Sequence, residues 1–347
     1  MALSPSADAS SGSGASRTAV LLVQLGTPDE PTAPALRRYL REFLADPRVV
    51  ELPRPLWAPI LYGFVLPFRP SRSARKYAAI WTDEGSPLLV YTRRQAMLLR
   101  GALGERGHAV EVAFAMRYGA PSIGSVLREL RTRGLERLLV VPMYPQYAAS
   151  TTATAFDAIA RELARWRAQP ALRVVRDFHD DDSYVEALVQ RIRSNWEREG
   201  RGERLLMSFH GVPRRAVALG DPYERHCRAT GERVARRLGL ADGEWLVSFQ
   251  SRFGPAEWLQ PYTAPTLVEW ARGGVRSVDV ICPGFVADCL ETLEEISIEA
   301  RRSFLDAGGQ EFRYIPALND SAAFIGALAA LVERNLQGWG TIRERAG

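Results

Sequence analysis

Short apolar runs rich in Val, Leu and Ile recur along the chain, each followed by an amphipathic stretch of helical length. The runs cover residues 19–25, 110–114, 138–141, 205–209, 246–249 and 278–282. Helical patterns fall between them, for example over 34–44, 122–133, 184–199 and 288–304. Runs that are apolar on both faces and alternate with helices predict parallel sheets covered on both sides. The architecture expected is α/β, doubly wound and open.

The pattern occurs twice. LLVQLGTP, starting at Leu21, is echoed by LLMSFHGVP from Leu205. AMRYGAP from Ala115 is echoed by QSRFGPA from Gln250, and LLVVPMYPQ from Leu138 by VDVICPGFV from Val278. Three echoes in the same order predict an internal duplication, with an insertion of about 45 to 50 residues in the first half. The organisation expected is a disordered tail over 1–16, a first α/β domain over 17–170 and a second over 171–347. The insertion corresponds to residues 51–87, the least regular part of the chain. It joins the apolar run LWAPILYGFVLPF to Arg69, Arg72, Arg75 and Lys76. Two readings stand beside each other: a buried loop over a sheet edge, or an apolar lip for a membrane surface or a flat amphipathic ligand.

Composition narrows the field. The chain has 347 residues, 46% hydrophobic and 24% charged, with a formal charge of +5. Lys76 is its only lysine, so the basic balance reflects an arginine bias and is weak evidence for nucleic-acid binding. Cys227, Cys282 and Cys289 form no CxxC pair, which excludes a zinc ribbon and fits a reducing, cytoplasmic setting. No uninterrupted apolar stretch reads as a membrane span. There is no GxxxxGK[ST] loop, HExxH or GxSxG. Gly101, Gly104 and Gly107 precede a strand, the reverse of the dinucleotide-binding order.

Ligand chemistry in open α/β sheets gathers beyond the carboxyl ends of the strands. His210 ends one apolar run there, whereas His108, His179 and His226 occupy ordinary helix-end or charged contexts. The segment VDVICPGFVADCLETLEEISIEA forms the second such end. Asp288 and Glu291 have the spacing of a variant capping box. At 100° per residue, Glu291, Glu295 and Glu299 form one acidic row, either a solvated face or a path for protons or a hard cation. One His and one carboxylate suit Fe²⁺ or another divalent first-row ion.

SFHGVP, GDPY, SFQSRFGPAEWLQPY and CPGFVADCLETLEEI, with LLVQLGTPDEPT and YPQYAASTT, resemble the bacterial ferrochelatase family from about residue 19 to Asn319. The resemblance implies two similar Rossmann-like domains with a porphyrin cleft between them, and a lyase that inserts Fe²⁺ into protoporphyrin IX in the last step of heme synthesis. It maps the metal site onto His210 and Glu291, with Glu295 the next acid. Arg117, Tyr118, Tyr144 and Trp258 map around the porphyrin; Arg69, Arg72, Tyr77 and Ser86 map to the lip and the propionate side. Cys289 stands where some relatives carry a His. Ala149 stands at a cluster-ligand position of animal-type enzymes, and a cysteine-rich extension and a C-terminal membrane anchor are missing. No iron–sulfur cluster, and no cofactor beyond the substrate Fe²⁺, is therefore expected. His210 is either the base that takes pyrrole protons, with the acids relaying them, or a direct Fe²⁺ ligand together with Glu291. A monomer is expected, cytoplasmic or peripheral at the inner face of the membrane through the lip. The alternatives are a chelatase for cobalt or coproporphyrin III, or a non-catalytic porphyrin or heme carrier.

Overall fold

The computed structural model describes residues 17–341, so the predicted disordered tail over 1–16 lies outside the described residues. Among the described residues, eight strands form two sheets. In chain order they are β1 (Thr18–Gly26), β2 (Glu111–Tyr118), β3 (Arg137–Pro142), β4 (Ala171–Val174), β5 (Arg204–His210), β6 (Trp245–Gln250), β7 (Ser277–Ile281) and β8 (Glu311–Ile315). The sheet orders are β2-β1-β3-β4 and β6-β5-β7-β8, and every pairing is parallel. The second half thus repeats the topology of the first, as the three echoes predict. Ala19 to Val23 of β1 and Leu205 to Phe209 of β5 are buried throughout, as central strands covered on both faces must be.

The structure moves one predicted boundary. Residue 171 opens β4, which pairs with β3, so the first sheet runs on to Val174 and does not end at 170. The core is not divided there either. The C-terminal helix Ala322–Leu336 buries Leu328, Leu331 and Val332 in a cluster that also holds Val20 and Leu22 of β1 and Met207 and Phe209 of β5.

The insertion is helical. Residues Arg54–Ile60 and Leu66–Ile80 are α-helices joined by a π-turn at Leu61–Val65. Pro55 sits in the first turn, where the missing N–H costs nothing, and Pro67 falls where the π-turn gives way to the next helix. Pro59 falls just before the π-turn, where the hydrogen-bond ladder is already irregular. Trp57, Leu61, Leu66, Ala74 and Tyr77 pack on Leu36, Tyr39 and Leu40 of helix Ala33–Leu44. The opposite side stays open: Leu56, Ile60 and Tyr62 are exposed, Phe64 is 68% exposed and Phe68 is 73% exposed. This is an apolar lip rather than a buried loop.

Candidate active site

His210 is the last residue of β5, and its Nδ1 lies 2.7 Å from the Gly211 carbonyl oxygen. A carbonyl only accepts, so Nδ1 carries the hydrogen and the neutral ring keeps its lone pair on Nε2. Gly211 allows the next contact. A Cβ there would come within 2.9 Å of the Gln250 carbonyl and 3.1 Å of the Trp258 ring. Trp258 stands with its ring centre 6.3 Å from that of His210.

The ends of β5 and β6 hold the acidic helix in place. Ser208 Oγ donates to Gln250 Oε1 at 2.7 Å, and Gln250 Nε2 donates to the Glu291 carbonyl at 2.8 Å. Ser251 adopts a left-handed φ of 64°, and its amide and hydroxyl both reach the Glu295 carboxylate, at 2.7 and 2.5 Å. A non-glycine residue in that region persists where its surroundings over-determine it. Neither Gln250 nor Ser251 was singled out as a site residue from sequence. The signal for them was the second echo, which places QS at the strand end.

Two local expectations are corrected. Cys289, not Asp288, caps the helix Leu290–Leu293, in a reciprocal box with Thr292. Asp288 instead accepts hydrogen bonds from Thr292 (2.9 Å), Tyr314 (2.5 Å) and Asn319 (2.7 Å). Glu291 is thereby released from capping. The helix then passes into a π-turn at Glu295–Ala300, where the Glu299 amide bonds the Glu294 carbonyl. That extra residue per turn breaks the 100° periodicity behind the single acidic row. Glu295 turns inward to Ser251, whereas exposed Glu299 joins buried Glu294 on Lys76, at 2.7 and 2.9 Å. Burial raises the Glu295 carboxyl above its ordinary value and the Glu291 charge adds to this; the Ser251 hydrogen bonds oppose it, as His210 does once it takes a proton.

The lone lysine therefore ties helix Leu66–Ile80 of the lip to the π-turn of the other half. Replacing Lys76 with Met is expected to lower stability by about 1 kcal/mol, because Glu294 loses its cation while staying buried. Thermal denaturation at low and high salt checks this: the deficit should shrink as salt screens the wild-type pair.

On the lip side, Arg69 is half-buried, lies 5.0 Å from the Phe253 ring centre and feels the charge of Glu291; burial lowers its pKa. Arg72 is exposed. Tyr77 is buried against Trp81, with its phenol pushed well up by burial and then by Glu291. Ser86 is buried and accepts from the Thr27 hydroxyl at 2.8 Å. Among the described residues, Tyr144 Oη and Trp258 Nε1 are buried without a hydrogen-bond partner, as expected of groups lining a space for an occupant.

Arg117 and Tyr118 have partners inside the first half. Arg117 pairs with Asp46 and bonds the Thr154 carbonyl and hydroxyl at 3.0 and 2.7 Å. Tyr118 donates to Asp46 at 3.0 Å. Burial raises the Asp46 carboxyl, but Thr154, the Arg48 amide and Arg117 outweigh it and hold it below its ordinary value. Such a group stabilises above the unfolded carboxylate pKa and stops doing so as pH falls through its depressed one. Asp46→Asn is expected to cost about 2 kcal/mol at pH 7, with the gap to wild type narrowing below pH 4. Urea unfolding at both pH values measures it.

A strand-end imidazole, a half-buried Glu295 carboxylate that senses it and an exposed apolar lip form a set suited to an enzyme of the chelatase type. The fold agrees. SirB from Bacillus subtilis with Fe3+ superposes with a TM-score of 0.54 over 94% of this chain and 99% of that one, at 13% identity. The sirohydrochlorin chelatase SirB of Bacillus subtilis subspecies spizizenii in complex with cobalt gives 0.53 over the same shares, also at 13% identity.

The chain belongs to the ferrochelatase family, whose model matches residues 17–336. It is 60% identical to the ferrochelatase of Dechloromonas aromatica over 93% of this chain and 89% of that one. It is also 60% identical to that of Bordetella pertussis, over 94% and 91%. It is accordingly a lyase of heme biosynthesis with porphyrin and ferrous iron as substrates. Among the described residues no helix is long and apolar enough to cross a membrane.

Proposed function

We propose that the protein inserts Fe²⁺ into protoporphyrin IX, with His210 taking the pyrrole protons. The observation that carries this is the Nδ1 bond to Gly211, which leaves Nε2 as a fixed acceptor beside Glu295. Metallation removes two N–H protons from the macrocycle and releases them to solvent. Nε2 accepts a proton, and the carboxylates of Glu291 and Glu295 stabilise the imidazolium and carry the proton outward. Glu299 takes no part in this path, since it is paired with Lys76 at the surface. His210 and Glu291 also form the N and O donor pair that a partly dehydrated Fe²⁺ would meet before insertion.

Trp258, Tyr144, Arg69 and Tyr77 form the porphyrin surround, with Arg69 and Arg72 the cations for its carboxylates and Ser86 beside them. Arg117 and Tyr118 support this surround from behind, through Asp46. The exposed apolar lip favours a tetrapyrrole with two carboxylates over a more carboxylated one. A pure carrier would need the lip but not the Ser251 cradle or His210. No cluster or other cofactor takes part in the chemistry. The protein works as a cytoplasmic monomer, touching the membrane through Phe64 and Phe68. Co-sedimentation with lipid vesicles that survives Phe64→Ser/Phe68→Ser would remove that contact.

The test is anaerobic, with Fe²⁺ and protoporphyrin IX, following loss of porphyrin fluorescence and growth of the heme spectrum. Coproporphyrin III runs alongside. Faster turnover of coproporphyrin overturns the substrate assignment, and tight binding of both without metallation overturns the enzyme in favour of the carrier.

A further inference from the structure

Three side chains able to ligate a metal meet away from the cleft, at the seam between the halves. Asp177 and His179 lie on the connection after β4, and His226 lies on helix Tyr223–Leu238, which follows β5. The two imidazoles stack with centres 3.6 Å apart and planes within 2°. Asp177 Oδ1 is 2.8 Å from His179 Nδ1, and its Oδ2 accepts from Arg176 at 2.7 Å. One donor atom from each of Asp177, His179 and His226 lies within 4.8 Å of the other two. A tetrahedral ion with bonds of ~2.1 Å holds its donors about 3.4 Å apart and lies in the plane of each imidazole, so the two stacked rings tilt apart to close the set.

The surroundings favour a ligand role. His226 is buried and stacks on His179. Its one amide contact, from Tyr147 to Nδ1, is long at 3.3 Å. The His179 backbone is anchored as well, since Thr230 Oγ1 donates to its carbonyl at 2.8 Å. Two imidazoles and a carboxylate on rigid supports are a donor set for first-row divalent ions.

We propose that Asp177, His179 and His226 form a structural site for a first-row divalent cation, best matched by Zn²⁺, which staples the connection after β4 to helix Tyr223–Leu238. The ion takes the place of the proton shared by Asp177 and His179, and that proton leaves to solvent. His226 supplies the ligand from helix Tyr223–Leu238.

The four histidines of the chain make the test direct. The full chain carrying His210→Ala, which removes the cleft imidazole, is labelled with ¹⁵N-histidine, stripped with chelator and titrated with Zn²⁺. The ring signals of His179 and His226 should shift together and saturate at one equivalent while those of His108 stay in place, and Tm should rise. Rings that remain unmoved at tenfold excess Zn²⁺ overturn the site. His226→Gln in the same background should abolish the Tm rise; a rise of equal size would place the ion elsewhere and equally overturn it.

Discussion

Turnover in the His210→Ala variant is expected to fall by about 10³-fold or more, with porphyrin affinity changed no more than a few-fold. General-base catalysis is worth ~10² to 10⁴ in rate. No other imidazole among the described residues stands at the end of β5 to replace it. On the proposed reading, porphyrin binding would rest on a different set of contacts, namely the apolar lip, Trp258 and the cations at Arg69 and Arg72. The loss should therefore appear in kcat and leave KM nearly untouched, the signature of an interaction made on the way to the transition state. Stopped assays of Fe²⁺ insertion give the rate, and porphyrin fluorescence quenching gives the affinity. Retained kcat would remove His210 from the proton path. Partial rescue by added imidazole would strengthen the assignment, because a diffusible base can restore proton transfer but not a missing structural contact.

How much of this was legible depended on whether the information was local. The six strands read from sequence carry apolar runs, whether central like β1 and β5 or at an edge like β2 and β6. The other two edge strands, β4 and β8, were missed. β4 is four residues long and mostly exposed, and β8 places Glu311 and Arg313 among its apolar positions, so neither shows a continuous run. The lip was legible as composition but not as helix, because four prolines over Arg54–Ile80 mask a periodicity that helix Ala33–Leu44 stabilises from outside.

His210 and Glu291 carried local signals, a strand end and a helix start. The partners of Glu295 did not. Ser251 is 44 positions away in sequence, and its left-handed backbone is imposed by tertiary structure. The acidic row failed for a related reason. A wheel drawn at a constant 100° cannot anticipate a π-turn, so Glu299 was assigned to a row that the backbone had already rotated away.

The acid nearest that rotation supplies the second large effect. Glu291→Gln is expected to lower kcat by about 10²- to 10³-fold, and Glu291→Ala by the same factor within a few-fold. Glutamine keeps the shape and the hydrogen-bonding reach of the side chain but neither the charge nor the ability to take a proton. If Glu291 merely filled space or held Cys289, the amide would work nearly as well as the acid and only alanine would fail. Near-equality of the two variants therefore separates charge from packing. Comparing both with His210→Ala goes one step further. Groups that act as a unit lose most of their joint effect when any one is removed, so the double variant should be scarcely slower than the worse single one. Independent roles would instead multiply, giving a combined loss of about 10⁵-fold or more. A multiplied loss would mean that the imidazole and the carboxylate serve different steps, one at the pyrrole nitrogens and one at the incoming ion. A sub-multiplicative loss would bind them into a single path along which the proton leaves, through Glu291 and then the half-buried carboxylate that Ser251 holds.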